Sequence, residues 1–315
     1  MLLVLLGCVP PTTPGPVVRE QPADRGQVPG AGMVPSAGCA LAPPDAPLTE
    51  QRTVEVDGTH RIARVSVPAP ATTDGPLPLL LSLHPFATTA ADWEQYSGLA
   101  AAATARGYVV VTPTGSEPGP RWSVPGGLDL GADDLTFLDT LLDDVEDAYC
   151  IDRNRVVAAG FSAGAAMAQA LSCTSPWRFA AVAGSGGTNL TDLCPASPPT
   201  DVMVLHGTID PIAPPSGSTV PFAPPLGLSV ERVVATNATR AGCEGPPLVS
   251  RPAADVLVER SSGCASGHRV EHWQLLGAGH TWAGAPGGLL ELVTGPTTTS
   301  ISANTVILDF FDDAG

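Results

Sequence analysis

Lysine is absent from the 315 residues of this chain, so its 15 basic side chains are all arginines. They are outnumbered by 31 acidic residues, and the formal net charge at pH 7 is −16. A surface of this charge repels the phosphates of nucleic acids and the anionic headgroups of lipids. We therefore expect no nucleic acid partner, and we interpret the acidity as a source of solubility.

Cysteine spacing of the kind found in many zinc and redox sites is also missing. None of the seven cysteines belongs to a Cys-x-x-Cys pair. Seven cysteines are nevertheless many for a cytosolic enzyme, and an oxidising compartment accommodates them better. We expect disulfide bonds, no metal and no organic cofactor.

The start of the chain has only a short apolar run. Residues 1–8 end in Leu5-Leu6-Gly7-Cys8, which is similar to the cleavage box of bacterial lipoproteins, where the cysteine is lipidated. No basic residue precedes the run, unlike in an ordinary signal peptide. We expect a bacterial protein that is either secreted or held at the cell envelope through Cys8, with membrane contact only through that lipid.

Proline and glycine dominate residues 9–38, which predicts a flexible tether. The remaining chain, 39–315, is long enough for one large core, and 43% of the whole sequence is hydrophobic. We therefore expect a single catalytic domain and a monomer.

Short apolar runs alternate with longer, partly helical segments, which indicates a mostly parallel sheet with helices on both faces. The strand-like runs are 77–83, 108–112, 155–159, 180–183, 202–206 and 270–276, and the predicted helices are 90–106, 133–148, 163–173 and 301–311. Residues 53–67 alternate around an Asp57-Gly58 turn and predict an N-terminal antiparallel hairpin. The proline-rich stretch 211–228 predicts a lid or rim loop.

The motif Gly160-Phe161-Ser162-Ala163-Gly164 stands between one of these strands and a helix. A serine on so tight a turn needs very small residues two positions before and after it. Its hydroxyl then lies above the helix N-terminus, where free N–H groups favour an anionic tetrahedral intermediate. The motif predicts a nucleophile elbow with Ser162 as the nucleophile.

A serine nucleophile needs a base, and the base needs an acid that orients it. In this architecture the acid and then the histidine follow the serine along the chain. Asp210 comes just after the buried run 202–206, and His280 lies on a glycine-rich loop after the last strand. The predicted triad is therefore Ser162, Asp210 and His280.

Four motifs resemble, in order and approximate spacing, those of the polyhydroxybutyrate depolymerase and feruloyl esterase group. They are Leu83-His84-Pro85-Phe86, Gly160-Phe161-Ser162-Ala163-Gly164, His206-Gly207-Thr208-Ile209-Asp210 and Gly277-Ala278-Gly279-His280-Thr281-Trp282. The resemblance runs from about Cys39 to the C-terminus. It implies a secreted esterase of the α/β-hydrolase fold, sometimes a lipoprotein, with the same triad.

The resemblance also implies that the loop after Leu83 supplies one oxyanion donor and the Ala163 N–H the other. Pro85 stands where the family usually has glycine and carries no N–H, so Phe86 is expected to donate instead. The family often doubles the glycine after the serine turn, whereas this chain has Gly164 followed by alanine.

Other histidines and tryptophans have competing interpretations. His84 and His206 end strands beside the site, where they are expected to serve as structural hydrogen-bond partners, and His84 is also expected to border the substrate pocket. Trp122 and Trp282 could pack in the core or line that pocket, which would suit a phenolic acyl group or a sugar.

Setting Cys8 aside leaves six cysteines, for which 15 pairings are possible. Cys150 and Cys173 are expected to pair because both should lie at the sheet edge opposite the site. Cys243 and Cys264 are expected to pair because they lie at the two ends of one segment before the last strand. That leaves Cys39 with Cys194, a pairing that the family resemblance also favours.

The sequence thus predicts an exported serine esterase that forms an acyl-enzyme. Its expected substrates are feruloyl or acetyl esters of plant polysaccharides, or hydroxyalkanoate polyesters and oligomers. Two alternatives remain open: a peptidase of the same fold, and a catalytically silent binding protein anchored at the envelope.

Overall fold

The computed structural model describes residues 32–69, 75–127, 130–217, 227–287 and 291–314. Its centre is one ten-stranded sheet in the order β1-β2-β4-β3-β5-β6-β7-β10-β9-β8. The strands are β1 Leu48–Val56, β2 Thr59–Val67, β3 Leu77–Leu83, β4 Val109–Pro113, β5 Ile151–Phe161, β6 Ala181–Ser185, β7 Asp201–Gly207, β8 Gly245–Ala253, β9 Val256–Ser262 and β10 Val270–Leu275. The expected α/β-hydrolase architecture is confirmed.

The middle of the sheet, from β4 to β10, is parallel, and an antiparallel hairpin lies at each edge. The N-terminal hairpin was predicted, whereas β8 and β9 were not. Pro246, Pro247 and Pro252 in β8 obscure its strand pattern, and proline is tolerated there because β8 is an edge strand.

Helices cover both faces of the sheet, and the sheet separates two hydrophobic clusters, one on each face. They are α1 Ala90–Ser97, α2 Leu99–Ala105, α3 Asp134–Ala148, α4 Ala163–Thr174, α5 Val230–Arg240, α6 Glu291–Thr294 and α7 Ala303–Asp312. The expected helix 90–106 is broken because Gly98 adopts a left-handed conformation, with φ of 64°. Helix α5 was not predicted.

The fold begins before Cys39. Val34 donates its N–H to Asp152, and the Ser36 N–H donates to the Ile151 carbonyl, so this part of the expected tether is fixed against the start of β5. Residues 1–31, which include Cys8 and the lipoprotein-like run 1–8, lie outside the described residues, as does 218–226 of the expected lid.

Two of the three expected disulfides are wrong. The structure joins Cys39 to Cys150, Cys173 to Cys194, and Cys243 to Cys264, and only the last pair agrees with the expectation. The physical reason is the N-terminal segment, which runs beside β5 and brings Cys39 against Cys150. Cys173 then meets Cys194 at the end of α4.

Within the described residues, no helix combines the length and the apolar character needed to cross a bilayer.

The disulfides close loops of very different length, which predicts different effects on stability. Cys39 and Cys150 are 111 residues apart, whereas Cys243 and Cys264 are 21 apart. Because a longer closed loop restricts the unfolded chain more, replacing Cys39 and Cys150 by serine should cost about 1.5 kcal/mol more than replacing the other pair. Urea unfolding of both double variants measures this difference. Equal losses, or a larger loss for Cys243 and Cys264, would contradict it.

Candidate active site

Ser162 stands at the sharp turn between β5 and α4. Its backbone has φ of 55° and ψ of −120°, a conformation that a residue other than glycine adopts only under constraint. The Ser162 N–H donates to the Ser185 carbonyl at 2.9 Å, which ties the turn to β6. The structure therefore contains the predicted nucleophile elbow, with the serine hydroxyl at its tip.

Glycines around the elbow allow backbone segments to touch. A Cβ atom on Gly160 would collide with the backbone of Gly164, and one on Gly164 would collide with the Leu83 carbonyl. A Cβ atom on Gly187 would collide with the Ser162 carbonyl. The first two contacts follow from the motif. The close approach of Gly187 was not predicted, although glycines at a strand end can signal that another backbone segment passes close by.

His280 connects the serine to the acid. Its Nε2 lies 2.9 Å from Ser162 Oγ, and its Nδ1 lies 2.7 Å from Asp210 Oδ2. The carboxylate can only accept, so Nδ1 carries a proton and Nε2 is free to accept the serine proton. All three side chains are buried or nearly so, with 9% exposure at Ser162. The three residues predicted as a triad thus form one continuous hydrogen-bonded chain.

The second oxygen of Asp210 is held by backbone. Asp210 Oδ1 accepts from the N–H groups of Ile212 and Ala213, both at 2.8 Å. These two bonds close a tight turn after β7 and fix the plane of the carboxylate. Oδ2 is thereby directed at His280.

The imidazole of His280 packs between an aromatic cluster and a backbone segment. Its ring centroid is 4.8 Å from that of Phe161, which stacks in turn on Trp93. On another side it approaches Gly186, where a Cβ atom would lie 3.3 Å from Nδ1. The backbone N–H of His280 donates to the Thr294 carbonyl at the end of α6. These contacts restrict the ring to the orientation that serves Ser162.

The two expected oxyanion donors lie on adjoining segments. Ala163 is the first residue of α4, and the loop that carries Phe86 lies against the same turn, since a Cβ atom on Gly164 would also press on the His84 carbonyl. Neither the Phe86 nor the Ala163 N–H has a hydrogen-bond acceptor among the described residues. Free N–H groups beside the serine are what an oxyanion hole requires.

His84 does not border the pocket as expected, and for Trp122 and Trp282 the structure supports the core-packing alternative over the pocket-lining one, because all three side chains are at most 1% exposed. The Trp122 indole donates to the His84 carbonyl, and His84 Nε2 accepts from the Gly115 N–H, so both residues support the loop that follows β3. Trp282 packs edge-on against Trp93 in the core. Sequence spacing could not separate these packed positions from pocket positions.

Large apolar side chains are exposed on the segments that carry the site. Phe86 on the loop that follows β3 is 52% exposed, and Ile209 and Ile212, which flank the expected acid Asp210, are 56% and 51% exposed. Leu292 and Val293 in α6, beside the His280 loop, are exposed as well. We call these five residues the apolar rim. Exposed apolar side chains on segments that carry a reactive group are available to contact an apolar substrate.

Three further histidines are buried: His84 just after β3, His206 on β7 and His272 on β10. Burial lowers the pKa of His84 and of His272 to about 4, and it also lowers the pKa of His206. None of the three lies within hydrogen-bond distance of Ser162 in the structure. They are therefore neutral structural groups, and His280 is the base candidate.

The buried His272 predicts a stability loss in mild acid. Above about pH 6.5 its imidazole is neutral in both states, whereas at lower pH the unfolded chain binds the proton first. Because the folded pKa is about 4, His272 should reduce the free energy of unfolding by about 2 kcal/mol between pH 8 and pH 5. Urea unfolding should show a smaller loss in His272→Gln and an unchanged loss in the exposed control His60→Gln. Identical pH dependence in His272→Gln and wild type would contradict this assignment.

Comparison with known proteins agrees with the fold and with an esterase activity. Residues 133–220 match the phospholipase/carboxylesterase family model. NocK of Nocardia uniformis subsp. tsuyamanensis, a protein assigned by its name to the esterases, is 31% identical over 89% of this chain and 95% of its own length. Feruloyl esterase D of Neurospora crassa is 29% identical over 57% of this chain and 63% of its own length.

A solved structure shares the fold. An acetyl xylan esterase from Aspergillus awamori aligns with a TM-score of 0.56 and 17% identity, over 84% of this chain and 99% of its own. The identity and coverage of NocK decide the family. The chain belongs to the esterase family that includes NocK, it has the α/β-hydrolase fold, and it is a carboxylic ester hydrolase.

Proposed function

We propose that this protein is an exported serine esterase that cleaves esters with an aromatic acyl group, such as feruloyl esters of plant polysaccharides. The observation that carries the proposal is the hydrogen-bonded chain from Ser162 through His280 to Asp210, with distances of 2.9 and 2.7 Å. The three disulfides support an oxidising compartment outside the cytosol.

The geometry supports an acyl-enzyme mechanism. Ser162 Oγ attacks the ester carbonyl while its proton passes to His280 Nε2, and the positive imidazolium is stabilised by Asp210. The N–H groups of Phe86 and Ala163 bind the oxyanion. His280 then donates the proton to the departing alcohol. Water, activated by His280 in the same way, hydrolyses the acyl-enzyme and regenerates the serine.

The choice of acyl group rests on the apolar rim and on the relatives. An aromatic acyl group would cover the exposed side chains of Phe86, Ile209 and Ile212 and remove them from water. A relative named feruloyl esterase matches over more than half of this chain. Acetyl esters of xylan and hydroxyalkanoate oligomers require the same triad, and they are the competing substrates to be compared.

Removal of the nucleophile tests the mechanism. Ser162→Ala should lower kcat by about 10⁴-fold or more on every ester that the enzyme hydrolyses, and Asp210→Asn should lower it by about 10³-fold or more, because the imidazole loses its correct tautomer. Steady-state rates on methyl ferulate, acetylated xylan, hydroxybutyrate oligomers and p-nitrophenyl acetate measure both effects. A rate near that of the wild type in Ser162→Ala would reject the serine mechanism.

Truncation of the apolar rim tests the acyl group. Ile212→Ser should raise KM for methyl ferulate by about fivefold, since roughly 1 kcal/mol of apolar contact is lost, and it should leave KM for p-nitrophenyl acetate within twofold. Ile62→Ser, at an exposed isoleucine on β2 remote from the elbow, is the matched control. Equal effects on the two esters would argue against aromatic acyl recognition.

A further inference from the structure

His206 is the last residue but one of β7, and its side chain contacts the turn that carries the proposed acid, Asp210. Its side chain is buried, and Nε2 lies 2.7 Å from the carbonyl oxygen of Ala213. A carbonyl can only accept, so Nε2 carries a proton and donates it. The same nitrogen is 3.6 Å from Asp210 Oδ2, which is too far for a hydrogen bond.

Ala213 connects this histidine to the acid. Its carbonyl accepts from His206, while its N–H donates to Asp210 Oδ1 at 2.8 Å. The N–H of Ile212 donates to the same oxygen. One residue of the turn is therefore held from below by His206 and itself holds the carboxylate, so that movement of the turn would displace Asp210.

The surroundings keep His206 neutral. Within the described part of the chain, its Nδ1 is buried and has no hydrogen-bond partner, and burial lowers its pKa. The titratable groups that act on it are Asp210, His280 and His272, and Glu259 lies 3.8 Å from His272. A charged His206 would compete with His280 for the carboxylate, whereas a neutral one supplies only a donor to the backbone.

We infer that His206 is a positioning residue for the catalytic acid: its Nε2–H anchors the turn 210–213, so that the backbone holds Asp210 Oδ1 and leaves Oδ2 to His280. This inference rests on the proposed function, because it assigns His206 a role only through the triad. It goes beyond the sequence-based expectation of a structural hydrogen-bond partner, since it predicts an effect on catalysis that loss of stability alone would not produce.

Two variants separate the donor from the bulk of the ring. In His206→Gln the amide nitrogen can reach the position of Nε2 and donate to Ala213, whereas the shorter His206→Asn cannot. His206→Met, which keeps volume without a donor, replaces His206→Asn if that variant does not fold. The matched control is His272→Asn, because His272 is also buried, also neutral, and lies one strand away on β10 without contacting the acid turn.

The readouts are kcat, KM and the acidic limb of the pH profile of kcat/KM, all with p-nitrophenyl acetate as substrate. We expect His206→Asn to lower kcat by about tenfold with KM within about twofold, because the lost contact acts on the acid rather than on substrate binding. Its acidic limb should move to lower pH, since a less firmly held carboxylate stabilises the protonated base less well. His206→Gln should keep kcat within about threefold and the limb unchanged.

The outcomes distinguish this inference from the proposed mechanism. If folded His206→Asn or His206→Met matches His272→Asn in kcat and in the acidic limb, while Ser162→Ala is inactive, the triad stands and the role of His206 is wrong. Loss of activity in folded His206→Gln equal to that in His206→Asn would also overturn it. If Ser162→Ala is active, the mechanism itself fails.

Discussion

The imidazole of His280 is the point on which the rest of the site depends. A serine hydroxyl is a weak nucleophile, and it becomes reactive only when a base of the correct tautomer lies within hydrogen-bond distance. Here one ring satisfies both conditions, with Ser162 on Nε2 and Asp210 on Nδ1. The three residues lie on the turns and loops that follow three different strands, β5, β7 and β10. The surrounding structure keeps both distances short at the same time.

Three separate constraints fix the ring and its partners. The elbow holds Ser162 in a strained backbone conformation through glycines that let β5, α4 and the loop after β3 touch. The aromatic cluster around Phe161 supports the face of His280. The turn after β7 holds the acid by two backbone bonds, and the proposed role of His206 extends this support into the sheet.

Much of the site could be predicted from the sequence because its chemistry is local. The glycines around Ser162, the aspartate after a buried strand and the histidine on a glycine-rich loop each carry a signal within a few residues. The positions of Trp122, Trp282 and Cys39 could not be predicted in this way. Burial of a tryptophan and the partner of a cysteine depend on which distant segments pack together. The segment before Cys39 binds β5 through scattered backbone and side-chain hydrogen bonds that form no periodic sequence pattern. The edge hairpin β8–β9 was hidden by its prolines.

The central claim is that Ser162 carries the acyl group during turnover, and a trapped intermediate tests it most directly. Enzyme mixed with p-nitrophenyl acetate and quenched in acid within the first turnover should show, by peptide mass spectrometry, one added acetyl group on the peptide that contains Ser162. The His280→Ala variant should show none. An acetyl group on any other residue, or equal labelling of Ser162 in His280→Ala, would contradict the account.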